Sequence, residues 1–194
     1  MTGLVLRGAR SEWSRGAVIV IASIVALGGL ASEACAQDPP RVRPSQRGTV
    51  SQTVDKTTIT IVYDRPVARG RELFGSLVPW GRSWQPGANN ATTIEFSDDV
   101  LVAGQPLPEG RYSLWAIPNP EEWMLMFSKK AEAWHTQYPG ESEDALRVAL
   151  KSSVGSHMET MAYYFPVVGP DSTILNFHWG TTIVEIPIRL RPPS

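Results

Sequence analysis

Residues 107–118 read LPEGRYSLWAIP, and this segment indicates the architecture of the chain. Gly110 precedes Tyr112 by two positions, Leu107 and Pro108 stand before them, and an alternating apolar pattern follows. This arrangement is typical of a tyrosine corner, in which a buried phenol donates a hydrogen bond to the backbone a few residues upstream. Such a corner fixes the arch of a Greek-key sandwich. We therefore predict structural roles for Tyr112 and Gly110; the alternative is an ordinary loop followed by a strand.

Apolar residues on either side of this segment recur mainly with a period of two, the pattern of half-buried strands. EWMLMFSK is instead apolar on both parities, which predicts a central strand covered on both faces. Gly and Pro separate nearly all of these runs, as expected for turns. The predicted strand regions are TTITIVYD (57–64), TTIEFSD (92–98), EWMLMFSK (122–129), DALRVALK (144–151), ETMAYYFPVV (159–168), DSTILNFHWG (171–180) and TTIVEIPIRL (181–190).

Helical signals are few and short. One or two turns are expected from Glu72 to Leu77, before Pro79, and a second short helix is expected after a cap at Ser128. Many short strands with little helix predict an all-β fold, an antiparallel Greek-key β-sandwich of jelly-roll type with one or two short helices.

The N-terminus predicts export. Three arginines precede the apolar run 17–31, which is shorter than the roughly 20 residues of a membrane span. Ala34-Cys35-Ala36 then suits a cleavage site, so residues 1–36 are interpreted as a signal peptide cleaved near Gln37. The mature protein would be periplasmic or secreted, without a transmembrane span. A lipoprotein anchored at Cys35 is less favoured, because Glu33 interrupts the small residues such a site requires.

The mature chain is divided by composition. Residues 37–47 are rich in Pro, Arg and Gln and predict a flexible lead-in, so a single β-sandwich domain is expected at 48–194. Cleavage removes three of the 18 basic and two of the 19 acidic residues, which leaves 15 against 17. This balance gives no basic footprint for nucleic acid. Signal-peptide cleavage also removes the one cysteine, so thiolate metal sites and disulfides are excluded in the mature chain.

No motif predicts catalysis, a metal or a cofactor. His135, His157 and His178 lie in separate segments without metal-ligand spacing, and G-x-S-x-G is absent. His178 shares a strand face with Asn176, and the alternation predicts a solvated outer-face histidine. The alternative is a hydrolase that uses His178 or His135 with an aspartate from another strand.

Residues 80–96, WGRSWQPGANNATTIEF, run from an aromatic, glycine-rich loop into a strand and predict a binding site. Arginines between 65 and 82 can recognise carboxylate or phosphate, whereas the indoles offer apolar faces and the amides pair with polar groups. The alternative is a packed loop held by ion pairs between these arginines and nearby acids. The candidate ligand-binding residues are Arg65, Arg71, Trp80, Arg82, Trp84, Asn89, Asn90 and His178.

A set of short motifs carries a resemblance that covers nearly the whole mature chain. They are Tyr63, Arg65-Pro66, Gly70-Arg71, Phe74-Gly75, Leu77-Val78-Pro79, Gly81, Trp84, Gly87-Ala88-Asn89, Ala91-Thr92, Pro108, Gly110, Tyr112, Trp123 and the closing WGTTIVEIPI. In this combination the chain resembles the DUF2911 family of exported bacterial proteins, whose function is unknown. The resemblance implies export and a β fold. The family usually has W-R-x-G-A-N, and Gln85 replaces the arginine here.

Three functions remain open at this stage. The first is an exported cell-envelope protein that binds a small polar or carbohydrate-like ligand, such as a glycan, at residues 63–92 without catalysis. The second is the hydrolase. The third is a structural or partner-binding module of the envelope, for which an exposed apolar patch would be the sign. The sequence leaves the oligomeric state open.

Overall fold

The computed structural model describes residues 43–134 and 137–191, and their fold is all-β and antiparallel, as predicted. The only helical element in these residues is a 3-10 turn, Glu141–Glu143. The strands are β1 (Gln46–Val54), β2 (Thr57–Arg65), β3 (Thr93–Phe96), β4 (Val100–Val102), β5 (Gln105–Leu107), β6 (Gly110–Ile117), β7 (Glu122–Ser128), β8 (Asp144–Val168) and β9 (Ser172–Leu190).

All nine strands belong to one open sheet with the order β1-β2-β3-β6-β7-β8-β9-β4-β5. The prediction of two separate sheets is therefore wrong, because the nine strands form one continuous sheet. β8 and β9 are long enough to join its two halves, since β8 pairs with β7 at its start and with β9 beyond Lys151.

The sheet curls over on itself. β3 ends at Phe96 and β4 begins at Val100, yet the two strands are third and eighth in the order. Four residue steps span at most about 14 Å, whereas five strand spacings in a flat sheet need about 24 Å. The curl also brings β2 against β8. The ring of Tyr63 on β2 contacts that of Tyr163 on β8, with centroids 4.7 Å apart.

A single apolar core fills the inside of the curl. Its members come from every strand except β1, whose Val50 packs against it from the rim. β7 lies between β6 and β8 and buries Leu125 and Met126 on opposite faces, which confirms the prediction of a central strand covered on both sides. Burial of apolar surface is the main stabilising contribution in a domain of this kind.

Tyr112 holds the arch between β5 and β6. Its Oη donates a hydrogen bond to the carbonyl of Pro108 at 2.9 Å, four residues upstream. Gly110 between them has a φ of 139°, which a side chain disfavours. This is the hydrogen bond that defines a tyrosine corner. It closes a two-residue connection between an edge strand and the middle of the sheet.

The two predicted short helices are not formed in the described residues. Residues 72–77 make turns, in which Val78 N–H donates to the Leu73 carbonyl, and residues 129–134 are irregular. The predictions for residues 1–42 lie outside the described residues, and β1 begins two positions before the predicted domain start. No helix in the described part of the chain is long and apolar enough to span a membrane.

Candidate functional site

The predicted binding segment is anchored to the sheet at Trp84. Its backbone N–H and C=O both pair with Ala116 of β6 at 2.8 Å. Its indole stacks on Trp179 of β9, with centroids 6.3 Å apart and planes 10° from parallel. Phe74 and Trp123 also contact this ring edge to face. Trp84 therefore packs against the apolar core and also lines a cleft at the surface.

The loop that follows β2 contributes two arginines, Arg69 and Arg71, to the same cleft. Arg71 donates from Nε to the Ala68 carbonyl at 2.9 Å and from Nη2 to the Val67 carbonyl at 2.7 Å. These bonds use two of the five guanidinium N–H groups and hold the side chain over its own turn. Its backbone N–H also donates to the Ala68 carbonyl at 3.1 Å, and the side chain makes no further hydrogen bond in the described residues. Its remaining donors can therefore serve an anionic ligand.

Arg69 adopts a left-handed backbone conformation with φ 54°, which costs a non-glycine residue free energy. Its N–H donates to Glu159 Oε1 at 2.6 Å, which fixes this turn to β8. The hydrogen bond from His157 at 2.9 Å is the main cause that lowers the pKa of Glu159, followed by that from Arg69. Glu159 is thus an anion at neutral pH and partly offsets the positive charge of Arg71.

Asn89 also lines the cleft and has a positive φ, 56°. Its Nδ2 donates to the Ser45 carbonyl at 3.4 Å. The other two non-glycine residues with positive φ, Asp55 and Ala103, occupy hairpin turns, where such geometry is ordinary. Asn89 does not, but asparagine is among the non-glycine residues that adopt this conformation most readily.

A bonded network behind Asn89 holds the loop in place. Gln85 is buried, and its Nε2 donates to Thr92 Oγ1 at 2.6 Å. Thr92 in turn donates to the Pro86 carbonyl, which also accepts a hydrogen bond from Tyr163 at 3.0 Å. The position where the family usually has arginine therefore holds a packing residue, and Gln85 does not line the cleft.

Arg69, Arg71, Trp84 and Asn89 line a cleft of about 480 Å³, which we call the arginine cleft. Its volume is within the range of small-ligand sites. The lining combines cationic, amide and aromatic groups, so it can hold a polar anion against flat apolar rings. Its walls are Pro44, Ser45, Pro66, Val67, Arg69, Arg71, Leu77, Val78, Trp84, Gly87, Ala88, Asn89 and Trp179.

The structure gathers only part of the predicted site. Arg71, Trp84 and Asn89 meet in the arginine cleft, whereas Arg65 donates to the Met161 carbonyl at 3.2 Å and Arg82 is exposed outside it. Trp80 and Asn90 lie in two neighbouring clefts. The expected ion pairs are not formed: in the described residues none of the four arginines between 65 and 82 makes a salt bridge with an acid.

His178 does not contribute to the cleft, and the prediction that it is solvated is wrong, since it is 3% exposed. Its Nε2 lies 2.9 Å from the Ser156 carbonyl, which places the proton on this nitrogen. Its Nδ1 lies 3.3 Å from Tyr164 Oη, so the second ring nitrogen also has a hydrogen-bond partner. Tyr164 covers the histidine from the neighbouring strand, and neither ring nitrogen bonds to a carboxylate. His135, the other hydrolase candidate, lies outside the described residues.

An apolar groove of about 690 Å³ lies at the turn between β8 and β9, with Arg189 as its one charged side chain, so it offers little to orient a polar ligand. Within residues 43–134 and 137–191, no three His, Cys, Asp or Glu side chains are grouped closely enough to hold a metal ion.

The family assignment rests on the extent of the match. Residues 45–188 match the profile of a family described as "Protein of unknown function (DUF2911)". The chain belongs to the DUF2911 family. The match begins one residue before β1 and ends in β9, so it covers the arginine cleft from Ser45 to Trp179. Comparisons with the curated proteins and with the solved structures gave no significant match.

The predicted set lacks Arg69 and Trp179, which are the other arginine and the other tryptophan of the cleft in this DUF2911 domain. Arg69 follows the β2 strand within the same arginine-rich segment, but nothing in the sequence distinguishes it from Arg65. Trp179 is more distant, because only the curl of the sheet brings β9 to Trp84. Its alternation with Phe177 and Leu175 indicates a core-facing side chain, and that signal alone does not predict a cleft wall.

Proposed function

We propose that the chain is an exported cell-envelope protein whose arginine cleft binds a small polar anion of the sugar-acid type, without catalysis. The supporting observation is the meeting of Arg69, Arg71 and Asn89 with Trp84 in one cleft. A carboxylate pairs with guanidinium groups, a sugar hydroxyl pairs with an amide, and a sugar ring packs on an indole. Export is part of the proposal and rests on the apolar run at 17–31.

The scaffold suits this role. The curled sheet, which we regard as a sandwich-like support, fixes the cleft through Trp84 and Ala116 and through the network around Thr92. A rigid wall reduces the entropy that binding costs. A hydrolase finds less support, because both ring nitrogens of His178 bond to Tyr164 and Ser156.

Calorimetric titration with galacturonate, with galactose as the uncharged analogue, tests this proposal. We expect galacturonate to bind, and Arg71→Ala to weaken binding by at least about tenfold, since charge-assisted hydrogen bonds contribute about 1.5–3 kcal/mol. Arg82→Ala is the matched control, because this exposed arginine lies outside the cleft. Equal binding of galactose and galacturonate, or equal losses in both variants, would contradict an anion site at Arg71.

A further inference from the structure

A second cleft adjoins the arginine cleft. It has a volume of about 330 Å³, and Arg71 and Trp179 line both clefts. The two spaces are therefore not independent sites, because they share these two side chains as walls. We call the second space the Trp80 cleft; its other walls are Leu73, Phe74, Trp80, His157, Gly180, Thr181 and Thr182.

An aromatic ledge forms one side of the Trp80 cleft. Trp80 packs on Phe74 with ring centroids 6.0 Å apart and planes inclined by 27°. Phe74 in turn contacts Trp84 and Trp179, so the ledge continues the aromatic wall of the arginine cleft. Trp80 nevertheless remains 39% exposed. An exposed indole on a fixed ring is a platform for the apolar face of a ligand ring.

Polar groups form the other side. The imidazole of His157 is 58% exposed and is held by its bond to Glu159, while Thr181 and Thr182 bring two hydroxyl groups. These side chains donate and accept hydrogen bonds, as sugar hydroxyls do. Positive charge is centred on Arg71, at the boundary between the clefts, and Glu159 lies close enough to interact with it.

We propose that the ligand is a chain of at least two acidic sugar units, with one unit in the arginine cleft, the next in the Trp80 cleft, and a carboxylate at Arg71 between them. This inference rests on the proposed function and adds the length of the ligand. The choice of a sugar chain follows from the exposed indole and the side-chain hydroxyls of the second cleft. An acidic peptide is the competing ligand, and triglutamate represents it in the titrations.

Calorimetric titration of the purified protein with galacturonate, digalacturonate and trigalacturonate tests the inference. Digalacturonate is expected to bind at least about tenfold more tightly than galacturonate, and the third unit to add little. Trp80→Ala and His157→Ala should each reduce this gain to less than about threefold. Trp134→Ala, which changes an exposed tryptophan of a different cleft, should keep the full gain. Thermal unfolding of each variant verifies that it folds.

The outcomes separate the two proposals. If galacturonate binds but digalacturonate gains nothing, or if both Trp80→Ala and His157→Ala keep the gain, the two-unit ligand is wrong and the single-cleft proposal stands. If none of the three galacturonates binds, both are wrong. Binding of triglutamate as tight as that of trigalacturonate would also overturn the assignment to a sugar chain.

Discussion

The indole of Trp84 lies parallel to that of Trp179 within 10°, with ring centroids 6.3 Å apart. One ring belongs to a loop and the other to β9, and both line the arginine cleft. The same rings also contact Phe74, a half-buried residue that packs against the apolar core. The aromatic side of the cleft is therefore packed against the core, and substitutions of Trp84 or Trp179 should affect stability as well as binding.

Trp84→Ala should destabilise the protein strongly. Removing this indole leaves a cavity beside Trp123, Phe177 and Trp179, and large-to-small changes of tryptophan cost about 3–5 kcal/mol. Because Trp84 is only half-buried, we expect about 3 kcal/mol in the free energy of unfolding, measured by urea denaturation. Trp80→Ala, at a more exposed ring, is the matched comparison and should cost less. Equal losses would show that Trp84 is not a core residue.

Tyr112→Phe isolates the hydrogen bond of the tyrosine corner. The ring remains, but the Pro108 carbonyl loses the hydroxyl that donates to it at 2.9 Å. We expect a loss of about 1 kcal/mol in the free energy of unfolding, measured by urea denaturation at neutral pH. A variant as stable as the parent would mean that the phenol ring alone holds the arch.

Buried tyrosines should make the protein sensitive to alkali. Burial, and secondarily the charge of Asp99, raises the pKa of Tyr112; burial, and secondarily Tyr63, raises the pKa of Tyr163. Above the unfolded-state pKa near 10 the unfolded chain releases protons that the native chain retains, so stability falls with rising pH. The pKa of Tyr163 is raised well above its ordinary value, so this tyrosine contributes a slope of up to about −1.4 kcal/mol per pH unit above pH 10.

Urea denaturation between pH 9 and 11.5 measures this slope. Tyr163→Phe should make the alkaline decline shallower, since Phe has no proton to release. A decline of the same steepness in the variant would assign the alkaline sensitivity to other groups.

Gly87→Ala should disrupt the network behind the cleft. An added Cβ would lie 2.5 Å from Gln85 Nε2 and even closer to Thr92 Oγ1, so the bond between these side chains must shift. Overpacking of this kind costs about 1–3 kcal/mol. Gly169→Ala is the control, because its Cβ would meet only Ser172 at an ordinary 3.4 Å. Thermal unfolding should show a lower midpoint for Gly87→Ala alone.

Local features of the fold could be predicted from the sequence. Alternation assigns Ile59, Ile61 and Tyr63 to one face of β2, and all three are buried. The tyrosine motif gives the arch at Pro108, because the hydrogen bond lies within five residues of the chain. Such signals are local, so they survive without knowledge of the rest of the fold.

Long-range features could not be predicted. Gly180 and the 155–158 segment resemble breaks between strands, but β9 continues through a positive φ of 60° at Gly180 and β8 absorbs register shifts after Val154. The register shifts also decide that Tyr164 covers His178. For the same reason Trp179 could not be placed beside Trp84, since that contact needs the curl of the whole sheet.

The most direct test of the arginine cleft is a titration of the ¹⁵N-labelled protein with galacturonate, observed through the tryptophan indole N–H signals. Trp84 and Trp179 line the cleft, and the Trp179 Nε1 has no hydrogen-bond partner in the described residues. Trp115 and Trp134 lie away from it and serve as internal controls. The account predicts saturable shifts of the Trp84 and Trp179 signals with the controls unchanged. Shifts confined to Trp134, or none at all, would contradict it.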